Sequence, residues 1–305
     1  MLAHTLFVFL DGVGLGADDP AINPFAVLDL PAFARFAGGA RWTVTAPPIR
    51  QRGHVFLPID ATLGVEGLPQ SGTGQVALFA GVNAAALAGR HFGPYPPSST
   101  RAALAGQSVF ARLRAGGVPV ERLAFANAFP DRFFQYIERS GRWTTTTLAA
   151  HAAGVRLRDE ADLRRGDALA ADLTGAGWPT RGGTTVITEE EAGRRLARLT
   201  QGHTFTLFEH WLTDKAGHAQ DFDRAASVLA SLDRFFASLL GALDIATDLL
   251  VLSSDHGNLE DLSTKGHTRK PVPLVALGVG AEALADVRDL TGVTPALVEA
   301  ILAGR

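Results

Sequence analysis

Thr5-Leu-Phe-Val-Phe-Leu10-Asp11-Gly12-Val13-Gly14 is a six-residue, near-continuous apolar run closed by an acid and two glycines. A strand buried on both faces needs such a run, and glycine lets the backbone turn sharply where it ends. Asp11 therefore falls at the carboxyl end of a strand. The same construction recurs along the chain, with strands expected at 5–10, 42–46, 119–126, 204–210, 247–253 and 272–277. Helical periodicity between them predicts helices at 73–81, 108–115, 189–199, 221–243 and 293–302. Short apolar runs alternating with amphipathic segments predict an α/β fold, a mostly parallel central sheet flanked by helices. Open sheets of this kind bind ligands beyond the carboxyl ends of their strands.

The polar residues at those ends are of one kind. Ser253-Ser-Asp255-His256-Gly257-Asn258-Leu-Glu260 follows one strand, and Gly266-His267-Thr268 precedes the run Pro271-Val-Pro-Leu-Val. The strand ending at Glu209 is followed by Asp214-Lys-Ala-Gly-His218, an acid and a histidine four residues apart at the start of a helical stretch. Carboxylate and imidazole groups gathered in this way suit a divalent metal. Gly67-Leu-Pro-Gln-Ser71-Gly-Thr73-Gly-Gln75 brings two hydroxyls to a turn that opens a helix, where backbone amides and the helix dipole favour an anion.

Composition bounds the alternatives. The chain has 305 residues, 47% hydrophobic, enough for one large core with or without a small appendage. A net charge of −3 points to neither nucleic acid nor an anionic membrane as partner. With no cysteine, disulfides and thiolate ligands are excluded, and a metal must be held by histidine and carboxylate. The first apolar run has neither the basic start nor the length of a signal peptide or a membrane span, so a cytoplasmic protein is expected. Nothing in the sequence specifies an oligomeric state. Between 130 and 185 the periodicity weakens, and this stretch is expected to form a small cap or lid over a core made of 1–129 and 186–305.

Taken together and in this order, these motifs resemble the alkaline phosphatase superfamily, and within it the branch of cofactor-independent phosphoglycerate mutase and phosphopentomutase. The resemblance rests on Asp11-Gly12, the hydroxyl turn, Asp214 with His218, Asp255-His256-Gly257-Asn258, and His267-Thr268 ahead of Pro271. It implies two divalent metal ions; histidine and carboxylate ligands without cysteine admit Mn, Zn or Mg, and the three histidines favour Mn and Zn. One would be held by Asp11, Thr73, Asp255 and His256, the other by Asp214, His218 and His267. It also implies a hydroxyl nucleophile. Counted against the mutase pattern, Thr73 places Leu78 and Gly81 correctly and is read as the nucleophile, with Ser71 as the alternative. The pattern's histidine four residues after the nucleophile then falls on Ala77.

Asn258 and Glu260 are expected to orient the ligands, and Arg90, His91 and Arg132 to meet the substrate. Residues 74–213 leave no room for the large second domain of the mutases. The expected activity is therefore hydrolysis of a small phosphomonoester, or a phosphodiester, through a phosphothreonine. A sugar-phosphate or phosphoglycerate mutase is the first alternative, and a non-catalytic binder of metal and phosphorylated ligand the second.

Overall fold

The computed structural model describes residues 1–179 and 185–304, so residues 180–184 of the expected cap segment lie outside it. Its strands are β1 His4–Leu10, β2 Ile49–Gln51, β3 His54–Ile59, β4 Leu123–Phe125, β5 Phe205–His210, β6 Asp248–Ser253 and β7 Val272–Gly278. Its helices are α1 Pro24–Val27, α2 Pro31–Phe36, α3 Ser71–Ala80, α4 Ala84–Ala88, α5 Arg101–Gln107, α6 Val109–Ala115 and α7 Asp131–Ser140. After these come α8 Thr145–Ala152, α9 Glu160–Arg165, α10 Glu189–Gln201, α11 Leu212–Ala219, α12 Phe222–Ala242 and α13 Leu290–Ala303. Among the described residues the strands form one sheet in the order β2-β3-β7-β6-β1-β5-β4.

β1 shows why the first apolar run is continuous. Phe7 and Phe9 enter one hydrophobic cluster, with Val76, Phe79, Phe110 and Leu297 from α3, α6 and α13. Leu6, Val8 and Leu10 enter a second, with Phe33 and Phe36 of α2, Leu196 of α10 and Phe235 and Phe236 of α12. Successive side chains of a strand point to opposite faces, and here both faces are covered by helices. α12 is long and apolar enough to cross a membrane, but it packs along α10 and α2 and buries Leu229, Leu232, Phe235, Phe236 and Leu239 in that second layer.

The sheet is mixed rather than mostly parallel. β4, β5, β1 and β6 run parallel, whereas β7 lies antiparallel to both β6 and β3, and β2 antiparallel to β3. The link from β6 to β7 contains no helix, and a parallel return needs a crossover long enough to recross a face of the sheet. The link instead reverses at the strand ends and carries Asp255, His256 and His267 with it. The strand expected at 42–46 is a turn bridged to Gly16: Trp42 is driven into the aromatic cluster of Phe25, Phe33 and Phe36, while Val44 is 49% exposed.

The segment 130–185 is not separate from the core along its whole length. α8 packs on α3, α5 and α6, and Ala149, Ala150 and Val155 belong to the first cluster. α9 and the following residues close over a small cluster of Ala128, Leu163, Ala168 and Ala170. α7, by contrast, fully buries only Ile137.

Candidate metal centre

Three strand ends and one helix bring the candidate ligands together. Asp11 follows β1, Asp255 and His256 follow β6, His267 precedes β7, and Asp214 and His218 lie one turn apart on α11. His256 Nε2 is 3.4 Å from Asp11 Oδ1 and 3.5 Å from Asp255 Oδ2, and the His256 ring stacks on His267 with centroids 3.7 Å apart. Asp214 Oδ2 lies 3.3 Å from His218 Nε2, and its Oδ1 lies 3.7 Å from His267 Nε2. The donor atoms form two overlapping groups, Asp214 with His218 and His267, and Asp11 with Asp214 and His256. Within each group they lie within 4.8 Å of one another. Asp214 thus belongs to both groups, where the sequence places it in one. At Gly12 (φ +69°) an added Cβ would stand 2.6 Å from Asp214 Oδ1, so only glycine lets the two loops approach this closely.

The residues fit a divalent cation. His267 Nδ1 donates to the Pro69 carbonyl and His218 Nδ1 to the Lys265 carbonyl, each at 2.7 Å. These bonds fix the tautomers so that both Nε2 lone pairs point inward, where they face each other at 3.3 Å. Two lone pairs in that position repel unless a cation or a proton lies between them. Asp11 Oδ1 and Asp255 Oδ2 are buried with no hydrogen-bond partner among the described residues. A buried carboxylate oxygen without a partner is costly unless an ion completes it.

Electrostatics agree. Burial, and then the charges of Asp255, Asp214 and Glu209, hold the Asp11 carboxyl well above the usual range. Burial, with Asp214 adding to it, pushes Asp255 up to about 7. The His256 imidazole is pushed down to about 4 by burial, and His267 to about 4 by burial and the adjacent His256. At pH 6 the His256 and His267 imidazoles of the metal-free centre are therefore neutral and ready to ligate, while the Asp255 carboxyl still holds its proton. Metal binding will release carboxyl protons, and affinity will rise about tenfold per pH unit for each proton displaced as pH goes from 6 to 7. Titration calorimetry in buffers of differing ionisation enthalpy reads this directly. An affinity flat between pH 6 and 8 would mean that the carboxyls are already ionised in the empty centre.

The hydroxyl turn departs from the sequence reading. Thr73 is fully buried and turned into the loop: its Oγ1 donates to the Gln70 carbonyl and accepts from Phe92 N, both at 3.2 Å. Ser71, the first residue of α3, faces the centre, with Oγ 3.0 Å from His256 Nε2. Helical geometry separates the two hydroxyls, because residues two apart point to different sides of the helix. The hydroxyl that faces the donor cluster is that of Ser71, whereas the Thr73 hydroxyl is bonded into the loop. Counted from Ser71, the residue four positions on is Gln75, whose amide donates to Asp11 Oδ2 at 3.4 Å, in place of the expected histidine.

The supporting residues are placed as follows. Asn258 Nδ2 donates to Asp214 Oδ1 at 2.7 Å and to its carbonyl at 3.1 Å, holding that carboxylate toward the histidines. Glu260 is buried and accepts from Gly14 N, Asn258 N and the Thr268 hydroxyl, tying the β1, β6 and β7 loops together. Glu260→Ala will leave three buried donors unpaired and cost about 3–5 kcal/mol, read as a lower urea midpoint. A loss below ~1 kcal/mol would show that water replaces the carboxylate. Of the expected substrate contacts, His91 is turned to the Val65 carbonyl at 3.3 Å, Arg90 lies over the Phe92 ring, and Arg132 is exposed on the first turn of α7.

Glu209 was not expected in the site. Its register opposite Phe9 sets it at the end of β5, where burial pushes its carboxyl up to about 7. It accepts a hydrogen bond from Thr146 at 2.5 Å, and Asn127 pairs with its backbone in both directions. Its position as the last residue of an apolar run was the signal in the sequence.

Comparison with known proteins gives a consistent outcome. The profile of the metalloenzyme superfamily matches residues 183–303. The 2,3-bisphosphoglycerate-independent phosphoglycerate mutase of Halobacterium salinarum is 36% identical over 96 residues, 29% of this chain and 19% of that protein. The corresponding mutase of Dinoroseobacter shibae is 29% identical over 97 residues, 30% and 19% of the two chains. The matched stretch thus spans about a fifth of the length of these mutases. Among solved structures, the PH0037 protein of Pyrococcus horikoshii superposes with a TM-score of 0.59 at 13% identity, covering 100% of this chain and 98% of that one. Alkaline phosphatase from the Antarctic bacterium TAB5 gives 0.52 at 11% identity, covering 98% of each chain. Phosphoglycerate mutase of Leishmania mexicana gives 0.52 at 10% identity, covering 99% and 95%. At these identities the structural likeness speaks for the fold: the α/β architecture is that of alkaline phosphatase.

Proposed function

Taking the chain as a metalloenzyme of the alkaline phosphatase superfamily, we propose that it is a two-metal phosphoryl-transfer enzyme. Its main activity would be hydrolysis of a small phosphomonoester through a phosphoserine at Ser71. The observation that carries this reading is the Ser71 hydroxyl at the amino end of α3, 3.0 Å from His256 and facing the donor cluster. Asp11, Asp214 and His256 would hold one cation, and Asp214, His218 and His267 the other, with Asp255 beside the first. Bound there, two divalent cations lower the pKa of a hydroxyl and offset the charge of a phosphate dianion. Ser71 supplies the nucleophile, and the positive end of the α3 dipole favours the anion next to it. Gln75 and Asn258 hold Asp11 and Asp214 in place.

Mn or Zn suits the histidine content better than Mg. Arg90 and Arg132 remain in the proposal as outer contacts for charge on the substrate. His91 does not, because its imidazole is committed to Val65. The cap narrows to α7, and a cytoplasmic location goes with a small phosphorylated metabolite as substrate.

The test is a metal-resolved assay: protein stripped with chelator, reloaded with Mn, Zn or Mg, and offered an aryl phosphate monoester and diester. Metal-dependent release of the aryl alcohol from the monoester is expected. Silence with two metals shown to be bound would overturn the hydrolase. A phosphomutase is the second reading, favoured by the 36% identity to a mutase over 96 residues, and it predicts isomer exchange with little free phosphate.

A further inference from the structure

The chain contains two tyrosines, and they meet. Tyr95 Oη and Tyr136 Oη lie 3.2 Å apart across 41 residues of sequence. Each belongs to a segment fixed to the centre at a different place. Tyr95 is in the loop 89–97, which is clamped on the nucleophile turn: Thr73 N donates to the Phe92 carbonyl at 2.9 Å and Phe92 N to Thr73 Oγ1. A Cβ on Gly72 would lie 2.1 Å from the Tyr95 carbonyl oxygen and 2.7 Å from that of Phe92, so the loop rests on the residue next to Ser71.

Tyr136 is on α7, the middle of an arch whose two feet stand on one residue. Asn127 pairs with the Glu209 backbone before the arch, and Thr146 donates to the Glu209 carboxylate after it. The Phe133 ring stacks on Phe129 at 4.4 Å, yet the helix fully buries only Ile137. A helix with so little burial is at the low end of local stability. The tyrosine pair joins the top of this arch to the nucleophile loop.

We propose that the Tyr95–Tyr136 contact holds α7 over Ser71 and thereby sets which acceptor, water or an alcohol, takes the phosphoryl group from the phosphoserine; this rests on the phosphoryl-transfer reading above. In that step the P–O bond to Ser71 Oγ breaks as the acceptor oxygen bonds to phosphorus, and the acceptor's proton ends on Ser71 Oγ. Water gives inorganic phosphate, and an alcohol gives a new phosphomonoester. With the arch closed, water is limited and a bound alcohol competes well; with it open, water wins. Tyr95 and Tyr136 are positioning residues, since neither touches the reacting atoms.

The experiment uses the full metal-loaded chain with p-nitrophenyl phosphate and glycerol, measuring glycerol phosphate against inorganic phosphate. Tyr136→Phe and Tyr95→Phe should each lower that ratio about fivefold, the weight of one hydrogen bond. The ratio is independent of total rate, so partial loss of folding or of metal leaves it unchanged. Equal ratios in wild type and both variants overturn the proposal. Hydrogen exchange supplies an arm that needs no turnover: amides of α7 should exchange about fivefold faster in either variant while those of α3 do not change. Unchanged exchange in α7 overturns the tether. No nitrophenol release from the wild type overturns the phosphoryl-transfer reading and the acceptor role with it, and the tether is then decided by exchange alone.

Discussion

Ser71→Ala will abolish turnover of an aryl phosphate, by at least about 10³-fold in kcat, while metal content stays at the wild-type value. Thr73→Ser will keep most of the activity. The contrast follows from where the two hydroxyls point: Ser71 toward His256, Thr73 into the Gln70 carbonyl and the Phe92 amide. Thr73→Ala should act on stability, because it leaves Phe92 N without its acceptor in a buried turn, at about 1–3 kcal/mol. Part of any loss of activity in that variant would come from release of the 89–97 loop. Phosphate trapped from labelled substrate at acid pH should be found on a peptide containing Ser71. Full activity in Ser71→Ala, with label on Thr73, would restore the threonine as nucleophile and require the first turn of α3 to rotate.

The fold was legible where a strand is buried on both sides. β1, β5, β6 and β7 are each built on a mainly apolar run, and polar residues and glycines gather at their ends. α10 and α12 were legible from their period. β3 was not, because His54-Val-Phe-Leu-Pro58-Ile carries a proline that argues against an inner strand. The structure tolerates it because β2 pairs only with residues 54–56, so among the described residues no strand pairs with Pro58 on that edge of β3. The direction of β7 had a signal that went unused. No amphipathic segment separates residue 253 from 272, so nothing was available to build a parallel crossover.

The convergence of the candidate ligands was legible, and the direction of the two hydroxyls was not. Asp11, Asp214, His218, Asp255, His256 and His267 converge because strand ends share one edge of the sheet, which the apolar runs before them imply. Which hydroxyl faces that edge depends on the phase of α3. That phase is set by the contact of Gly72 with the 89–97 loop, a contact made by backbone carbonyls and invisible in residue types. Glu209 was missed for a related reason. Its neighbours Thr146 and Asn127 come from segments without a motif, and only the sheet register brings them to it.

Asp214→Ala will cost more metal than any other single ligand change. Its two carboxylate oxygens face different imidazoles, His218 at 3.3 Å and His267 at 3.7 Å, and it is the acid common to both donor groups. Without it the second group is left with two imidazoles and no carboxylate to balance a dication, and the first loses one of its two carboxylates. Metal analysis after desalting should give below one ion per chain, with kcat down by at least about 10³-fold. Asp11→Asn and His218→Ala each touch a single group and should leave about one ion. Asn258→Ala keeps every ligand and frees only the orientation of Asp214, so affinity should fall about 10–100-fold with two ions still bound at saturating metal. If Asp214→Ala instead retained one ion, as Asp11→Asn does, the carboxylate would serve one cation alone, and Asp255 would be the acid that completes the other.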